Sequence, residues 1–415
     1  AYYGGPAGLS TTASWTEVGW QINSWFGASL ANAGDANGDG YDDLLVGAMR
    51  YDEAGRMECG AVFLYRGSAT GLEATPFWTK YGDQAGSEFG IGLAFAGDLN
   101  GDGYSDMTVA AYQYVDGPWS TGRVYVYHGS VNGYGATEDW MGSDPMGGQW
   151  GMSIASAGDV NGDGYADVVC GEPLYDGVYT DGGRAYVFVG EAALASLSPY
   201  RTYTGTQANA RLGGGVGTAG DVNGDGVSDV VVGSPGQDGW GQVSVYHGGP
   251  DAMTTTAAWD QQSNVVNAEM GFATAHAGDV NGDGYADVLV GYPGINEVRL
   301  FLGSATGLQA TAAWSATGSS AGERFGATLC GAGDVNGDGY SDVLIGAPAY
   351  DSYRGRAYVF LGSASGLGPA YHWRVTGSAT LVRYGEGLAS AGDANGDGYS
   401  DIVVSASMEA GDMGA

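Results

Sequence analysis

Basic residues are scarce in this sequence: 14 Lys and Arg stand against 47 Asp and Glu in 415 residues, the formal net charge is -33, and Lys80 is the sole lysine. Neutralising phosphates requires clustered basic side chains, so a nucleic-acid surface is excluded, and an anionic membrane is an equally poor direct partner. Cysteine is also scarce. Cys59, Cys170 and Cys330 are odd in number, widely spaced and free of any Cys-x-x-Cys pair, so they indicate neither a disulfide framework nor a zinc site and read as small buried apolar residues. Long hydrophobic runs are missing: no window reaches about 18 consecutive apolar residues, and no basic start leads into an apolar core, so neither a membrane-spanning helix nor a signal peptide is read. The chain opens on Ala1 rather than Met, which reads as a processed or excised piece of a longer protein.

Glycine, in contrast, is abundant: 79 residues, with 44% hydrophobic and only 15% charged residues, fit a folded all-β protein rich in tight turns. Internal repetition dominates the pattern. The segment Asp-x-Asn-Gly-Asp-Gly-x-x-Asp begins at Asp35, Asp98, Asp159, Asp221, Asp279, Asp334 and Asp393, with successive starts 63, 61, 62, 58, 55 and 59 residues apart. Nine residues before each start stands an apolar residue followed by Gly: Phe26, Phe89, Trp150, Leu212, Met270, Phe325 and Tyr384. Length varies only after the acidic loop, as loops tolerate and strands do not.

Each unit carries four short strands. In one of them, Gly326–Gly333 reads as the first, Asp342-Val-Leu-Ile-Gly-Ala as the second, Gly355–Gly362 as the third and the stretch around Trp373 as the fourth. The first strands consist almost wholly of small residues, as expected where strands converge on one axis; Phe95, His276, Cys330 and Glu386 are the larger exceptions expected to line a channel. Trp15, Trp78, Trp140, Trp259, Trp314 and Trp373 recur 10 or 11 residues before the apolar-Gly step, a regularity that indicates packing between units. The N-terminal Ala1-Tyr-Tyr-Gly-Gly-Pro matches the third-strand segment Val245-Tyr-His-Gly-Gly-Pro, and Trp15 falls at a fourth strand, while Tyr384 and Asp401 begin a first and a second. The expected fold is therefore an all-β, seven-bladed β-propeller spanning 1–415 as one domain, with four antiparallel strands per blade and the last blade closed by both termini, which would remove open sheet edges.

The acidic loops occupy 35–43, 98–106, 159–167, 221–229, 279–287, 334–342 and 393–401. Positions 1, 3, 5 and 9 carry side-chain oxygens, and position 7 can turn its backbone carbonyl inward. The candidate ligands are Asp35, Asn37, Asp39, Tyr41 and Asp43; Asp98, Asn100, Asp102, Tyr104 and Asp106; Asp159, Asn161, Asp163, Tyr165 and Asp167; Asp221, Asn223, Asp225, Val227 and Asp229; Asp279, Asn281, Asp283, Tyr285 and Asp287; Asp334, Asn336, Asp338, Tyr340 and Asp342; and Asp393, Asn395, Asp397, Tyr399 and Asp401. Calcium is a hard ion that takes about six to eight oxygens, and a loop alternating ligands with spacers wraps them around one point. Asn-Gly and Asp-Gly turns alone would need no carboxylates at fixed offsets. Three like charges held together cost roughly 1 kcal/mol or more per pair without a counterion. The loops are not EF-hands: the twelfth position is Val46, Val109, Cys170, Val232, Val290, Ile345 or Val404 rather than a bidentate Glu. Seven calcium ions are expected, and they would move the net charge from -33 to -19.

At these residues the chain resembles a known family. Phe325-Gly-Ala through Gly346-Ala-Pro, enclosing Asp334-Val-Asn-Gly-Asp-Gly, is similar to the FG-GAP repeat of integrin alpha subunits and their bacterial relatives, and the likeness extends over essentially the whole chain. The resemblance implies a seven-bladed propeller with calcium in hairpin loops on its lower face and protein recognition on the upper face. Two departures limit the parallel: all seven loops are acidic here, and there is neither an inserted ligand-binding domain nor a leg region, so heterodimer formation is not implied.

The expected function is a non-catalytic, calcium-binding interaction or adhesion module, extracellular or on a cell surface and of bacterial type, where millimolar calcium suits such loops. A monomer is expected. Its protein or glycan ligand would bind opposite the calcium loops, where aromatic residues gather: Tyr51, Tyr114, Trp119, Tyr175, Tyr179, Trp240, Tyr350 and Tyr353. Packing between neighbouring loops is the competing explanation of these aromatics. A lectin-like propeller is the main alternative function, although the aromatics do not recur equivalently in every unit. The propeller part of a hydrolase or lyase is a further alternative, since FG-GAP-like propellers occur in phospholipases and polysaccharide lyases. Only His128, His247, His276 and His372 are available, no Ser or Cys sits in a nucleophile motif, and His276 with Glu386 is the sole candidate constellation.

Overall fold

Each acidic loop leads into a six-residue strand buried along its whole length: Asp43–Ala48, Asp106–Ala111, Asp167–Glu172, Asp229–Ser234, Asp287–Tyr292, Asp342–Ala347 and Asp401–Ala406. After the leading Asp these runs are mostly apolar, with Thr108, Glu172, Ser234 and Ser405 as buried polar exceptions, because a sheet covers them on each side, and β-branched residues fill such doubly covered positions well. The structure, a computed structural model, describes residues 1–117, 120–144, 147–192, 198–250 and 252–408.

With the blades numbered in chain order from the one that holds loop 35–43, blade 6 illustrates the unit. Thr328–Gly333, Asp342–Ala347, Arg356–Phe360 and Trp373–Thr376 form an antiparallel sheet in chain order, with Ile345 opposite Leu329 on one side and Tyr358 on the other. The first strands, made of small residues, line the central channel. Phe95, His276 and Cys330 line a stretch of about 460 Å³ toward the acidic loops, and Glu386 lines one of about 290 Å³ toward the opposite mouth.

The expectation of seven four-stranded blades, the last closed by both termini, is not met. Among the described residues the propeller has six four-stranded blades, and the seventh acidic repeat lies in a two-stranded sheet of Tyr384–Gly392 and Asp401–Ala406. That sheet packs between the first strands of blades 6 and 1. The reason is local. A third strand in a complete blade pairs along several consecutive residues, as Arg356–Phe360 does with Val343–Ala347, whereas the N-terminal segment contributes the single bridge of Tyr2 to Ile402. Tyr2 N–H donates to Ile402 O at 2.8 Å and Ile402 N–H to Tyr2 O at 3.1 Å. Gly4 and Gly5 then bond to Asp401 Oδ1 and Val335 O. Trp15, expected in a fourth strand, lies outside any strand, although the Ala1 ammonium donates to its carbonyl at 2.7 Å.

The hydrophobic core is divided among the gaps between sheets. Leu289, Val298 and Leu300 of blade 5 meet Phe325, Val343, Ile345, Tyr358 and Phe360 of blade 6, and Leu344, Val359 and Trp373 of blade 6 meet Ile402 and Val404 of the two-stranded sheet. Close approach at these interfaces explains one glycine of the repeat: a Cβ on Gly291 would lie 2.2 Å from the carbonyl oxygen of Gly326 in the next blade. The recurring tryptophans bridge blades as the spacing suggested. The indole N–H of Trp78 donates to Gly135 O, that of Trp259 to Gln309 O, and that of Trp314 to Gly368 O, each about one blade further along the chain.

Candidate metal centre

The loop begins with an Asp whose carboxylate collects the turn that follows. In 334–342, Asp334 Oδ1 accepts from the amides of Gly337 at 2.7 Å and Asp338 at 3.1 Å, and Oδ2 accepts from Gly339 at 2.7 Å. Asn336 Oδ1 accepts from Asp338 N–H at 2.9 Å, and Asp338 Oδ1 from Tyr340 N–H at 3.1 Å. Such local side-chain bonds to backbone suit Asp and Asn to tight turns. Glycine at the fourth position is also a packing requirement: Gly337 has φ 75°, and a Cβ there would lie 2.5 Å from the ring of Tyr399 in the next loop.

The ninth position anchors the loop to its blade. Asp342 is fully buried; its Oδ2 accepts from Val335 N–H and its Oδ1 from Gly362 N–H, both at 2.9 Å. The same pair of bonds recurs at Asp43, Asp106, Asp167, Asp229, Asp287 and Asp401. The donors to these carboxylates were not anticipated from the sequence. Their signal was nonetheless present, as a glycine closing each third strand, at Gly67, Gly129, Gly190, Gly248, Gly303 and Gly362, with Gly4 in the N-terminal segment.

Electrostatically the loops are unbalanced. Among the described residues, none of the carboxylates at positions 1, 5 and 9 is ion-paired to a lysine, arginine or histidine side chain. Burial, with repulsion from the first- and fifth-position carboxylates, pushes each ninth-position Asp up to about 7 despite two amide donors. Among the described residues no three His, Cys, Asp or Glu side chains are gathered as a formed metal centre. The acids are instead turned onto loop amides, and in six loops the third-position Asn donates its Nδ2 to the fifth-position Asp Oδ2, at 3.1 Å between Asn336 and Asp338. The first loop differs, with Asn37 Nδ2 on Asp43 Oδ2 at 3.4 Å. The donor set is all oxygen, carries three carboxylates and, among the described residues, has no basic side chain paired with it. That chemistry fits a hard divalent cation.

On the opposite face the aromatics divide. Tyr114, Tyr175 and Tyr350 lie under Arg123, Arg184 and Arg356 of their third strands at 3.6, 3.3 and 3.4 Å, and Tyr51 stacks on Tyr81. Trp240 is half-buried, whereas Tyr179 and Tyr353 stand exposed. Trp119 lies outside the described residues. His276 and Glu386 line different stretches of the channel. Burial lowers the His276 pKa, and Glu386 is held by Arg383 at 2.9 Å and by Ser407.

Comparisons with known proteins agree with the repeat geometry. The FG-GAP repeat matches residues 26–63, 89–127, 150–188, 325–360 and 384–414, and an FG-GAP-like repeat matches 221–290. The chain is 30% identical to integrin alpha-4 of Xenopus laevis over 188 residues, 43% of this chain and 18% of that protein. It is 35% identical to integrin alpha-PS2 of Drosophila melanogaster over 197 residues, 44% of this chain and 14% of that protein. The chain thus spans less than a fifth of the length of these relatives. Among solved structures, one from Bacteroides fragilis, provisionally described as a 6-phosphogluconolactonase, superposes with a TM-score of 0.53 at 11% identity over 83% of this chain and 84% of that one, a likeness of fold alone. With its repeat signature, blade geometry and relatives in agreement, the chain belongs to the FG-GAP repeat family, as an integrin-alpha-like β-propeller protein.

Proposed function

We propose that residues 1–415 act as one calcium-stabilised, non-catalytic interaction module outside the cell. Calcium is held at seven loops by the carboxylates of positions 1 and 5, the Asn oxygen of position 3, the carbonyl of position 7 and the buried Asp of position 9. The observation that carries this reading is the set of seven fully buried ninth-position carboxylates, each beside two further acids and, among the described residues, none paired with a basic side chain. A divalent cation offsets that charge where nothing else in the loop does. The irregular opposite face, with Tyr179, Tyr353 and Val178 exposed, is the surface for a protein or glycan ligand. Separation of His276 from Glu386 supports a non-catalytic role.

The test is a calcium titration of chelator-stripped protein followed by thermal unfolding. Uptake of about seven ions per chain with a raised Tm is expected, and no uptake would overturn the calcium reading. Capture of surface and secreted proteins with calcium, beside a glycan array, distinguishes a protein ligand from a sugar.

A further inference from the structure

Neighbouring loops are joined through the groups assigned above as ligands. Asp342 Oδ1 accepts from Gly362 N–H at 2.9 Å; the next amide, Ser363, donates to the carbonyl of Val280 in the preceding loop at 3.0 Å; and Val280 N–H donates to Oδ2 of Asp287 at 3.0 Å. Two buried carboxylates of adjacent loops are thereby connected through three residues. The same relay runs from Asp287 to Asp229, Asp229 to Asp167, Asp401 to Asp342, and Asp43 to Asp401, the last passing through Gly67, Ser68 and Ala394. It therefore crosses both edges of the two-stranded sheet, where the ladder of strands is weakest.

A second link runs beside the first. In six loops the eighth-position amide donates to the first-position carbonyl of the loop before it, as Ser341 does to Asp279 at 3.0 Å and Ser400 to Asp334 at 2.9 Å. Where the seventh position is Tyr, its ring covers the fourth-position glycine of that same preceding loop: a Cβ on Gly282 would lie 2.8 Å from the ring of Tyr340. The peptide that offers the seventh-position carbonyl is therefore held by the backbone of the neighbouring loop.

Resting on the reading of the loops as calcium sites, we propose that they fill cooperatively, each occupied loop raising the affinity of the loops bonded to it along the run from 98–106 through 393–401 to 35–43. A cation that fixes the ninth-position carboxylate also fixes the glycine turn bonded to it, and that turn holds the second-position peptide of the preceding loop. The neighbour then has less backbone left to order when its own ion arrives. Hydrogen-bonded chains of this kind transmit coupling when both ends bias the same arrangement.

The experiment titrates chelator-stripped protein with calcium chloride by equilibrium dialysis. A Hill coefficient above one is expected. Asp338→Asn, at an exposed fifth position outside the relay, removes one ligand charge; coupling then weakens the remaining sites about fivefold or more, whereas independent sites lose one ion and keep their affinity. Tyr340→Ala keeps its own backbone carbonyl and every ligand side chain but removes the ring from Gly282, and it is expected to lower the Hill coefficient. Thermal unfolding of both variants in excess chelator, beside the parent, confirms that they start from the same fold. Seven independent sites, unchanged by either variant, overturn the coupling and leave the calcium assignment standing; no calcium uptake by the parent overturns both.

Discussion

On the acidic-loop face, 279–287 and 334–342 are close to superposable in their bonding. The first Asp accepts from the fourth, fifth and sixth amides at 2.7, 3.1 and 2.8 Å in one loop and at 2.7, 3.1 and 2.7 Å in the other. On the opposite face no such agreement exists: blade 5 links its second and third strands with a single 3-10 turn at Pro293–Ile295, while blade 3 runs from Glu172 to Arg184 before its third strand begins. Regularity on one side fits a load carried by the fold. Irregularity on the other fits a surface free to differ blade by blade.

The largest test of that contrast is removal of cations. With free calcium at ten times the dissociation constant each site contributes about 1.4 kcal/mol, so seven sites together are on the order of 10 kcal/mol. The cation-free chain should also show an inverted pH dependence. Each ninth-position Asp has its folded pKa raised to about 7 from 3.8, so its penalty is absent in acid and grows as pH rises toward 7. Thermal unfolding in excess chelator is therefore expected to give a higher Tm at pH 5 than at pH 8, with calcium reversing the order; a Tm indifferent to chelator at pH 8 would remove the structural role of the loops.

The opposite face holds a buried acid of its own, with a different remedy. Glu172 Oε2 and Asp144 Oδ2 lie 2.9 and 2.7 Å from the single hydroxyl of Tyr186, which also accepts from Arg184. One hydroxyl proton cannot serve both carboxylates, and burial, with repulsion from Asp144, pushes Glu172 up to about 8. The raised value means stability is lost as pH climbs from about 4.5 to 8. Glu172→Gln is expected to gain a few kcal/mol on the parent across that window, read as a widening gap in urea midpoints. A gap independent of pH would show that Glu172 is ionised in the fold.

Gly362→Ala probes the loop face without touching a carboxylate. Its Cβ would lie 2.4 Å from Ser341 O and 2.8 Å from Val280 O, so a loss of about 1–3 kcal/mol in urea unfolding is expected. Equal stability of variant and parent would mean that the turn is free to move. The smallest stability effect belongs to Tyr179→Ala with Tyr353→Ala, both exposed, expected within about 0.5 kcal/mol of the parent while weakening ligand capture. Should the pair destabilise by several kcal/mol with capture intact, the two faces would exchange roles.

Much of the molecule was legible along the chain. The alternation of Asp, Asn and Asp around glycines placed every loop, the apolar run after each ninth-position Asp placed every second strand, and the Trp spacing foretold contacts such as Trp314 with Gly368. The aromatics were harder to read, because Tyr175 under Arg184 and Tyr179 in solvent lie four residues apart in one loop. Composition cannot distinguish them; the direction in which the backbone turns each ring does.

Taken alone, the sequence determined an all-β repeat with acidic turns, since turn chemistry and strand period depend on neighbours within about ten residues. Only the tertiary structure decided that, among the described residues, six blades carry four strands and the seventh repeat pairs with Tyr2 at a single bridge. The same holds for the bonds that tie each loop to the one before it. They join residues between one and about one and a half repeats apart or, at Ser68 with Ala394 and Gly5 with Val335, distant ends of the chain, and a contact of that range exists only once the blades have packed.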